Sequence, residues 1–474
     1  MPPEQSSLQP KTHEYTLPNG LMVLVHEDHS APVVAIVTHV RAGYFDEPDK
    51  LVGISHVLEH MYFKGTERRG AGEIAQQTKA AGGYLNAGTI YDHTSYYTVL
   101  PSSSLEMGLD IQADALKHSQ IDEDELAREL LVIIQEAKRK LDNPSAVATE
   151  TLYEEMFDAH PIRRWRVGTE EGLKRLRRED VWTYYRNLYR PSNIVLVVAG
   201  DVDAERTFDL VRRHYGEMPA GEPLREPRPE EPPRRAFRLR EIEGDIVHTY
   251  VELGWRTPET AHPDTAVLDL LSAILGQGRA SRLYRGVREL GLATSIGAYN
   301  YTPTELGVFG ISAEMQPPDT LPALDAIARE VASVRVAPVS SRELERAKNL
   351  LEARLLRRLE TAEGQATQLA HWQAMGDWHL GEEYQQRLMA ASAEEVHRVA
   401  MEYLDLDAAT VLVYRPRSAS PLGVGAADLR ERLADAAATA EPVRVVAAPG
   451  EPAARGIAHA VPAGAEDGVA FFDL

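Results

Sequence analysis

The sequence predicts an α+β protein built from two similar units, and three observations support this prediction. Strand-like segments alternate with segments of helical periodicity in both halves. Residues 219–235 read PAGEPLREPRPEEPPRR, a composition typical of a stiff extended linker. A helix that leads into an apolar strand at residues 179–197 recurs at residues 394–413. We interpret this recurrence as duplication of one α/β unit; chance recurrence of a common helix–strand pair is the alternative.

The individual elements are predicted from β-branched runs, from apolar residues spaced three and four apart, and from neighbouring Pro, Gly and Asn. The expected strands are 21–26, 32–40, 94–100, 194–199, 246–255, 295–301, 308–313 and 410–414. The expected helices are 55–63, 122–141, 340–361 and 393–404, with a short one near 426–440. We therefore expect an N-terminal domain (1–218), the linker (219–235), a C-terminal domain (236–416) and an Ala/Gly/Pro-rich tail or linker (417–474).

Composition excludes several classes of function. Of the 474 residues, 43% are hydrophobic and 26% charged, as in a soluble globular protein. The formal net charge of −21 argues against nucleic-acid binding, which needs a basic surface. The chain has no cysteine, so a transition-metal site must use His, Asp or Glu. It also has neither an apolar run of membrane-spanning length nor a signal peptide, and we expect a cytoplasmic protein.

The sequence His56-Val-Leu-Glu59-His60 predicts a metal site. On a helix, residues three and four apart share a face, so both histidines can reach one cation while Glu59 lies beside them. Two imidazoles and a neighbouring carboxylate supply two zinc ligands and a base for water. The order is the reverse of the commoner H-E-x-x-H helix. Two surface histidines with a salt-bridging glutamate are the alternative, but the apolar flanking residues predict a buried helix.

A third ligand must come from another element, and the long helix 122–141 is the best source. Its glutamates Glu125, Glu129 and Glu136 are all candidates, and each could instead be a solvated side chain. Glu136 follows the most apolar stretch of this helix, which predicts that it lies deepest. The pattern alone therefore favours Glu136 only slightly.

Several longer strings carry a family resemblance. His56-Val-Leu-Glu-His-Met-Tyr-Phe-Lys-Gly-Thr66 resembles the signature of the pitrilysin, insulysin and mitochondrial processing peptidase superfamily. Gly82-Gly-Tyr-Leu-Asn-Ala-Gly-Thr89 followed by Tyr96-Tyr97 is similar to it as well, as are Tyr15-Thr-Leu-Pro-Asn-Gly20 and Gly278-Arg-Ala-Ser-Arg-Leu283. The resemblance covers residues 12–416.

This resemblance implies a zinc endopeptidase that acts on peptides or unfolded segments. It implies two homologous α/β-roll domains, each a mainly antiparallel sheet packed with helices, that form one half of a clamshell. It also implies Zn²⁺ on His56, His60 and Glu136, with Glu59 as the base that activates water and Glu129 as a catalytic-site residue that supports the metal site. Substrate is expected to add as a strand near Tyr84, Asn86 and Ala87.

One feature departs from the family pattern. Complete members carry an Arg and a Tyr seven residues apart in the half opposite the zinc, and this chain has Val287 and Thr294 there, with Arg288 one place off. We therefore expect a heterodimer with a homologous, zinc-free subunit that carries the Arg–Tyr pair. A fragment of a tandem chain is a variant, since Phe471–Leu474 resembles Glu14–Leu17. A non-catalytic peptide-binding or scaffold subunit, and zinc-dependent hydrolysis of another bond, are the alternative functions.

Overall fold

The computed structural model describes residues 11–233 and 236–441, which form two mixed sheets covered by helices. The strands are β1 Lys11–Thr16, β2 Met22–Glu27, β3 Val33–Val40, β4 Tyr84–Thr89, β5 Thr94–Pro101, β6 Ile194–Gly200, β7 Arg238–Gly244, β8 Thr249–Thr257, β9 Ser295–Tyr301, β10 Gly307–Met315 and β11 Thr410–Pro416. The helices of the N-terminal half are α1 Ile54–Met61, α2 Glu73–Ala80, α3 Leu105–His118, α4 Glu123–Leu141, α5 Pro144–Met156, α6 Glu170–Arg175, α7 Arg178–Leu188 and α8 Ala204–Tyr215. Those of the C-terminal half are α9 Thr265–Gly276, α10 Thr320–Val336, α11 Ser341–Leu359, α12 Ala362–Ala374, α13 Leu380–Ala390, α14 Ala393–Tyr403 and α15 Ala426–Ala438.

The two sheets share one topology. The N-terminal sheet has the order β1-β2-β6-β3-β5-β4, and the C-terminal sheet has the order β7-β11-β8-β10-β9. Apart from β1, the orders correspond strand for strand. Each sheet has one parallel pair, β2 with β6 or β7 with β11, and its other pairs are antiparallel. The duplication inferred from the sequence is therefore confirmed, as is the mixed, mainly antiparallel fold.

The recurring helix–strand pattern corresponds to α7 with β6 and α14 with β11. Both strands are central in their sheets, and every residue of β6 is buried. Burial on both faces explains why these strands are continuous apolar runs rather than alternating ones.

The two domains exchange a helix. Helix α12 comes from the C-terminal half but packs on the N-terminal sheet, where Ala366 and Ala370 meet Leu24, Val195 and Val197. Helix α5 comes from the N-terminal half and packs on the C-terminal sheet.

Helix α5 approaches β8 and β11 closely. Its Leu152 and Met156 contact Leu412 and Val308. Gly254 of β8 permits the approach, since a Cβ there would lie 2.4 Å from the sulfur of Met156. Each sheet is thus covered partly by the other half of the chain.

The segments outside the two sheets differ in structure. Residues 219–233 of the expected linker contain neither helix nor strand. The short helix expected near residues 426–440 is α15, and its Leu429 and Leu433 are buried in the C-terminal core. Residues 417–441 therefore pack onto the C-terminal domain rather than forming a free tail. The rest of the expected tail, including Phe471–Leu474, lies outside the described residues.

Candidate metal centre

Helix α1 begins at a sharp turn in which Gly53 has a φ of 96°. A side chain at Gly53 would collide with the backbone, because a Cβ would lie 2.4 Å from the carbonyl oxygen of Val167. The Glu47 carboxylate accepts hydrogen bonds from the Gly53 and Ser55 amides, each at 2.9 Å. Burial raises the pKa of Glu47 to about 7 despite these bonds. These contacts fix the conformation of the first turn of α1, the helix that carries the motif residues.

The apolar side of α1 is buried in the N-terminal core. Ile54, Val57, Leu58 and Met61 are at most 2% exposed. The opposite side carries the three polar motif residues and faces α4. The three motif residues therefore share one side of α1, as their spacing in the sequence predicted.

Helix α4 brings two of its glutamates to α1. Asp122 caps the helix by accepting hydrogen bonds from the Asp124 and Glu125 amides, both at 3.0 Å. Glu129 and Glu136 both reach the α1 histidines, whereas Glu125 pairs with Arg128 away from them.

The expectation that Glu136 lies deepest is wrong. The Glu129 side chain is 10% exposed and that of Glu136 is 41% exposed. Glu136 shares a helix side with Val132, one turn earlier, which is itself 47% exposed. The apolar run before Glu136 is therefore not all inward-facing.

Three ligand atoms converge between the helices. His56 Nε2 and His60 Nε2 lie 3.3 Å apart, and each lies 3.8 Å from an oxygen of Glu136. Ligands bound to tetrahedral zinc at about 2.0–2.1 Å stand about 3.3 Å apart, so the nitrogen pair fits such an ion. These residues are the one group within the described chain whose His, Asp and Glu ligand atoms lie within 4.8 Å of one another.

The protonation of the histidines also suits a cation. Burial, and then the neighbouring His60, lower the pKa of His56 to about 3, so its imidazole is neutral. His60 Nδ1 lies 3.0 Å from Glu129 Oε2, and an Nδ1–H donor leaves Nε2 as a lone pair facing His56. With the proton of His56 on Nδ1, both Nε2 lone pairs are available to one cation; with it on Nε2, the 3.3 Å contact is a hydrogen bond. His56 Nδ1 is buried and has no hydrogen-bond partner within the described residues.

Glu129 orients His60 rather than joining the ligand group. Its second oxygen accepts a hydrogen bond from Lys64 Nζ at 2.5 Å. Burial opposes its ionisation, but the bonds from Lys64 and His60 outweigh it and lower the pKa of Glu129. An ionised carboxylate behind a ligating imidazole is the usual supporting arrangement in metal sites.

Glu59 lies beside the group and contacts the end of β4. The Thr89 hydroxyl donates to Glu59 Oε2 at 2.6 Å. Burial is the largest influence on Glu59, and it raises the pKa of this carboxyl. Thr89 and Lys64 lie inside the strings that carry the family resemblance, but their spacing predicted no role for either. The signal that could have indicated Thr89 is a hydroxyl side chain on the last residue of β4.

The expected substrate strand is β4, which is an edge strand. It pairs with β5 alone, with Asn86 opposite Tyr97 and Ala87 opposite Tyr96. Ala87 packs toward the N-terminal core, whereas Tyr84 and Asn86 are exposed on the alternate face. The Tyr84 hydroxyl donates to Glu363 of α12 at 2.5 Å.

The positions of the missing Arg–Tyr pair lie in the C-terminal domain. Val287 is fully buried within a π-helical segment, Tyr284–Arg288, while Arg288 is exposed and lies over the Tyr284 ring at 5.2 Å. Thr294 donates to the backbone carbonyl of Glu314 at 3.0 Å. None of these side chains lies in the metal centre.

Within residues 11–233 and 236–441, no helix combines the length and the hydrophobicity needed to cross a membrane.

Comparison with known proteins places both domains in one family. Residues 22–170 match the domain described as "Insulinase (Peptidase family M16)", and residues 175–351 match "Peptidase M16 inactive domain". An uncharacterized zinc protease of Rickettsia felis is 30% identical over 387 residues, which cover 81% of this chain and 93% of that protein. Zinc protease PqqE of Helicobacter pylori is 27% identical over 86% of this chain and 94% of its own length.

Solved structures show the same fold. The crystal structure of a protease from Helicobacter pylori superposes with a TM-score of 0.80 at 25% identity, covering 86% of this chain and all of that one. A structure from Pseudomonas fluorescens, titled as an M16 inactive domain, has a TM-score of 0.80 at 19% identity and covers 87% of this chain and 99% of its own. That fold is one half of the family's clamshell. With relatives of this similarity across both domains, the chain belongs to the M16 family of peptidases, within the pitrilysin-type superfamily.

Proposed function

We propose that this chain is a zinc-dependent endopeptidase that hydrolyses peptides or unfolded protein segments. The observation that carries the proposal is the convergence of His56 Nε2, His60 Nε2 and a Glu136 oxygen beside the buried carboxylate of Glu59. Two imidazoles and one carboxylate are a donor set of catalytic zinc sites, which keep a fourth position open. Relatives named zinc proteases support the same metal and reaction class.

Glu59 is the proposed general base. When zinc is bound, it supplies a Lewis acid that acidifies the attacking water and polarises the peptide carbonyl. Glu59 accepts the proton of that water and then returns it to the leaving amine. The Thr89 hydroxyl fixes one carboxylate oxygen for this transfer. Burial raises the pKa of Glu59, which makes this carboxylate a stronger proton acceptor than an exposed glutamate.

The edge strand β4 is the proposed binding site for the peptide backbone. An extended peptide can add to it as a further strand, with main-chain hydrogen bonds that read no particular sequence. Tyr84 and Asn86 then flank the peptide, and Ala87 follows Asn86 in the strand. Because β4 ends at Thr89, which contacts Glu59, a peptide bound along it reaches the base.

We also propose that full activity requires a homologous, zinc-free partner subunit. Val287 is in the core and Thr294 is bonded to the backbone, so a second copy of this chain would offer neither charge nor a free hydroxyl at those positions. Donors aimed at the developing oxyanion contribute strongly to the rate of amide hydrolysis. Peptidase activity should therefore rise when a homologous chain with the Arg–Tyr pair is added. Strong activity of the purified chain at dilutions where it is monomeric would refute this requirement.

A non-catalytic scaffold subunit is the second candidate, and the complete His56–Glu59–His60–Glu136 set argues against it. The discriminating experiment measures hydrolysis of a panel of peptides and matched esters by the chain with its partner. Zinc is removed by a chelator and then restored. We expect peptide cleavage that disappears and returns with zinc. Zinc-dependent cleavage of esters alone would indicate a different bond, and no cleavage by any preparation would favour the scaffold.

A further inference from the structure

The counterpart of the metal centre in the C-terminal domain is a cluster of arginines. Helices α4 and α11 correspond, since both are 19 residues long and occupy equivalent places. Helix α4 packs against α1, which follows β3, and α11 packs against α9, which follows β8, the counterpart of β3. Counted from the N-cap residues, Asp122 and Ser340, the position of Glu136 in α4 is that of Arg354 in α11. The candidate metal ligand is thus replaced by a guanidinium group.

Arg346 and Arg358 lie on the same helix as Arg354, and Arg285 lies near Arg346; we call Arg285, Arg346, Arg354 and Arg358 the arginine cluster. Arg354 donates to the side-chain oxygen of Gln277 at 3.2 Å, and Arg346 donates to the carbonyl oxygen of the same residue at 2.8 Å. Arg358 lies one turn beyond Arg354 and bonds only weakly, at 3.3 Å, to a glutamine side chain. Burial lowers the pKa of Arg346, and Arg285 lowers it further although Glu343 raises it. Burial and then Arg354 lower the pKa of Arg358. The guanidinium groups therefore repel one another.

No carboxylate of the described residues neutralises this cluster within 4.0 Å, although the chain carries a net charge of −21. Two carboxylates interact electrostatically with it, Glu343 with Arg346 and Asp269 with Arg354, but each has closer partners. Glu343 pairs with Arg282 at 2.7 Å, and the buried Asp269 accepts hydrogen bonds from Tyr384 and Asn300. An anion from outside the chain would relieve the repulsion and could accept paired N–H donors from guanidinium groups.

An exposed leucine beside the cluster favours a peptide over an inorganic anion. Leu350 lies one turn before Arg354 on the same side of α11 and is 37% exposed. Leu350 occupies the position that Val132 occupies beside Glu136 in α4. Both counterpart sites therefore combine one polar group with an exposed apolar side chain.

We propose that the arginine cluster binds a carboxylate of an acidic, partly apolar peptide segment. This inference extends the proposed function, since it assigns a preference for acidic segments to a peptidase. Binding at the cluster needs no catalysis, so it can be measured separately from cleavage.

The test uses fluorescence anisotropy with a fluorescein-labelled decapeptide of alternating Glu and Leu. A second probe has Gln at every Glu position, and both are measured on the full chain carrying Glu59→Gln, so that cleavage cannot consume them. We expect the Glu probe to bind at least about tenfold more tightly than the Gln probe. Equal affinity for the two probes would overturn the proposal, whether or not the unmodified chain cleaves peptides.

Matched variants locate the binding site. Arg354→Gln should weaken binding of the Glu probe by about tenfold or more, because it removes one charged donor. Arg357→Gln removes the same charge from the next turn, where Arg357 bonds only its own helix, and should leave binding unchanged. If both variants weaken binding equally, general attraction rather than a site explains it. Arg285→Gln provides a second test, since Arg285 is exposed on another element.

Two further arms identify the source of the anion. Amidating the C-terminus of the Glu probe separates a terminal carboxylate from side-chain carboxylates, and either result supports a carboxylate site. Inorganic phosphate and tripolyphosphate are added as competitors. Displacement of the probe by either one at concentrations below the probe's own Kd would overturn the carboxylate assignment in favour of a phosphate site.

Discussion

Helices α1 and α9 occupy corresponding places in the two domains, yet the carboxylates that they carry have different surroundings. Helix α1 follows β3, and α9 follows β8, which is the counterpart of β3. Each helix presents a carboxylate to an edge strand. Glu59 of α1 receives a hydrogen bond from Thr89 of β4, and Asp269 of α9 receives one from Asn300 of β9 at 3.0 Å. The same architecture thus holds one acidic side chain in each domain.

The two carboxylates differ in how completely their oxygens are occupied. Tyr384 donates to the second oxygen of Asp269, and ten of the twelve residues of α9 are buried. Of the two oxygens of Glu59, only Oε2 has a side-chain hydrogen bond within the described residues, and His56 and His60 lie on the same helix. A buried carboxyl group with both oxygens hydrogen-bonded has a structural role, whereas one with a free oxygen beside a cation site can transfer protons.

The largest effect should come from the ligands that distinguish α1 from α9. His60→Ala and Glu136→Gln should each reduce bound zinc from about one ion per chain to a trace, because two ligands hold the ion poorly. Elemental analysis of the purified variants measures this. Glu125→Gln is the control, since Glu125 lies on the same helix but pairs with Arg128. Undiminished zinc in His60→Ala or Glu136→Gln would refute the ligand assignment.

The next effect tests the two carboxylates directly. Glu59→Gln should retain zinc but reduce kcat by about a hundred- to ten-thousandfold, because a neutral amide cannot accept the proton of water. Asp269→Asn makes the same chemical change in the other domain and should leave kcat within about twofold. Peptide hydrolysis by the partnered enzyme is the measurement. Near-normal turnover by Glu59→Gln would show that another group is the base.

A smaller effect on zinc binding is expected from Glu129, which contacts the ligand His60. Glu129→Gln should weaken zinc affinity by about tenfold to a hundredfold, since the carboxylate that orients His60 becomes a weaker acceptor. Competition with a fluorescent zinc chelator gives the affinity. The C-terminal counterpart of Glu129 is Ala347, which is buried and supports no ligand. Unchanged affinity would mean that Glu129 contributes to folding only.

The smallest effect concerns stability and pH. Burial raises the pKa of Asp269 to about 6 from an ordinary value of 3.8. The folded state therefore binds its proton more tightly than the unfolded state does. Stability from this group is fully present below pH 4 and is lost as pH rises toward 6, by on the order of 1–3 kcal/mol. Asp269→Asn should remove this part of the pH dependence, as measured by thermal unfolding between pH 4 and 7. An identical pH profile in the variant would exclude Asp269 as its source.

Much of the fold could be predicted because its signals are local. Strand β9 is predicted residue for residue, and α1, α4 and α14 are each predicted to within two residues at either end. Helix α9 was missed because a nearly uniform apolar segment has no helical period. Strand β7, RLREIEG, was missed because its charged residues resemble a loop until β11 pairs with it.

The site was predictable only in part. His56, Glu59 and His60 lie within one turn of each other along the chain, so their spacing predicts their proximity. Glu136 comes from another helix, and amphipathic spacing alone cannot separate it from Glu129 and Glu125. Which glutamate is buried depends on how α4 crosses α1, a tertiary property that no local pattern contains.

The exchange of α5 and α12 has a consequence for how the chain is made. As the chain leaves the ribosome, the N-terminal sheet is complete long before α12, which covers the face formed by Leu24, Val195 and Val197. That apolar face stays exposed to water until most of the C-terminal domain has been synthesised. Neither domain can bury its own sheet alone, so we expect fragments cut near residue 218 to aggregate and the intact chain to unfold in one cooperative transition.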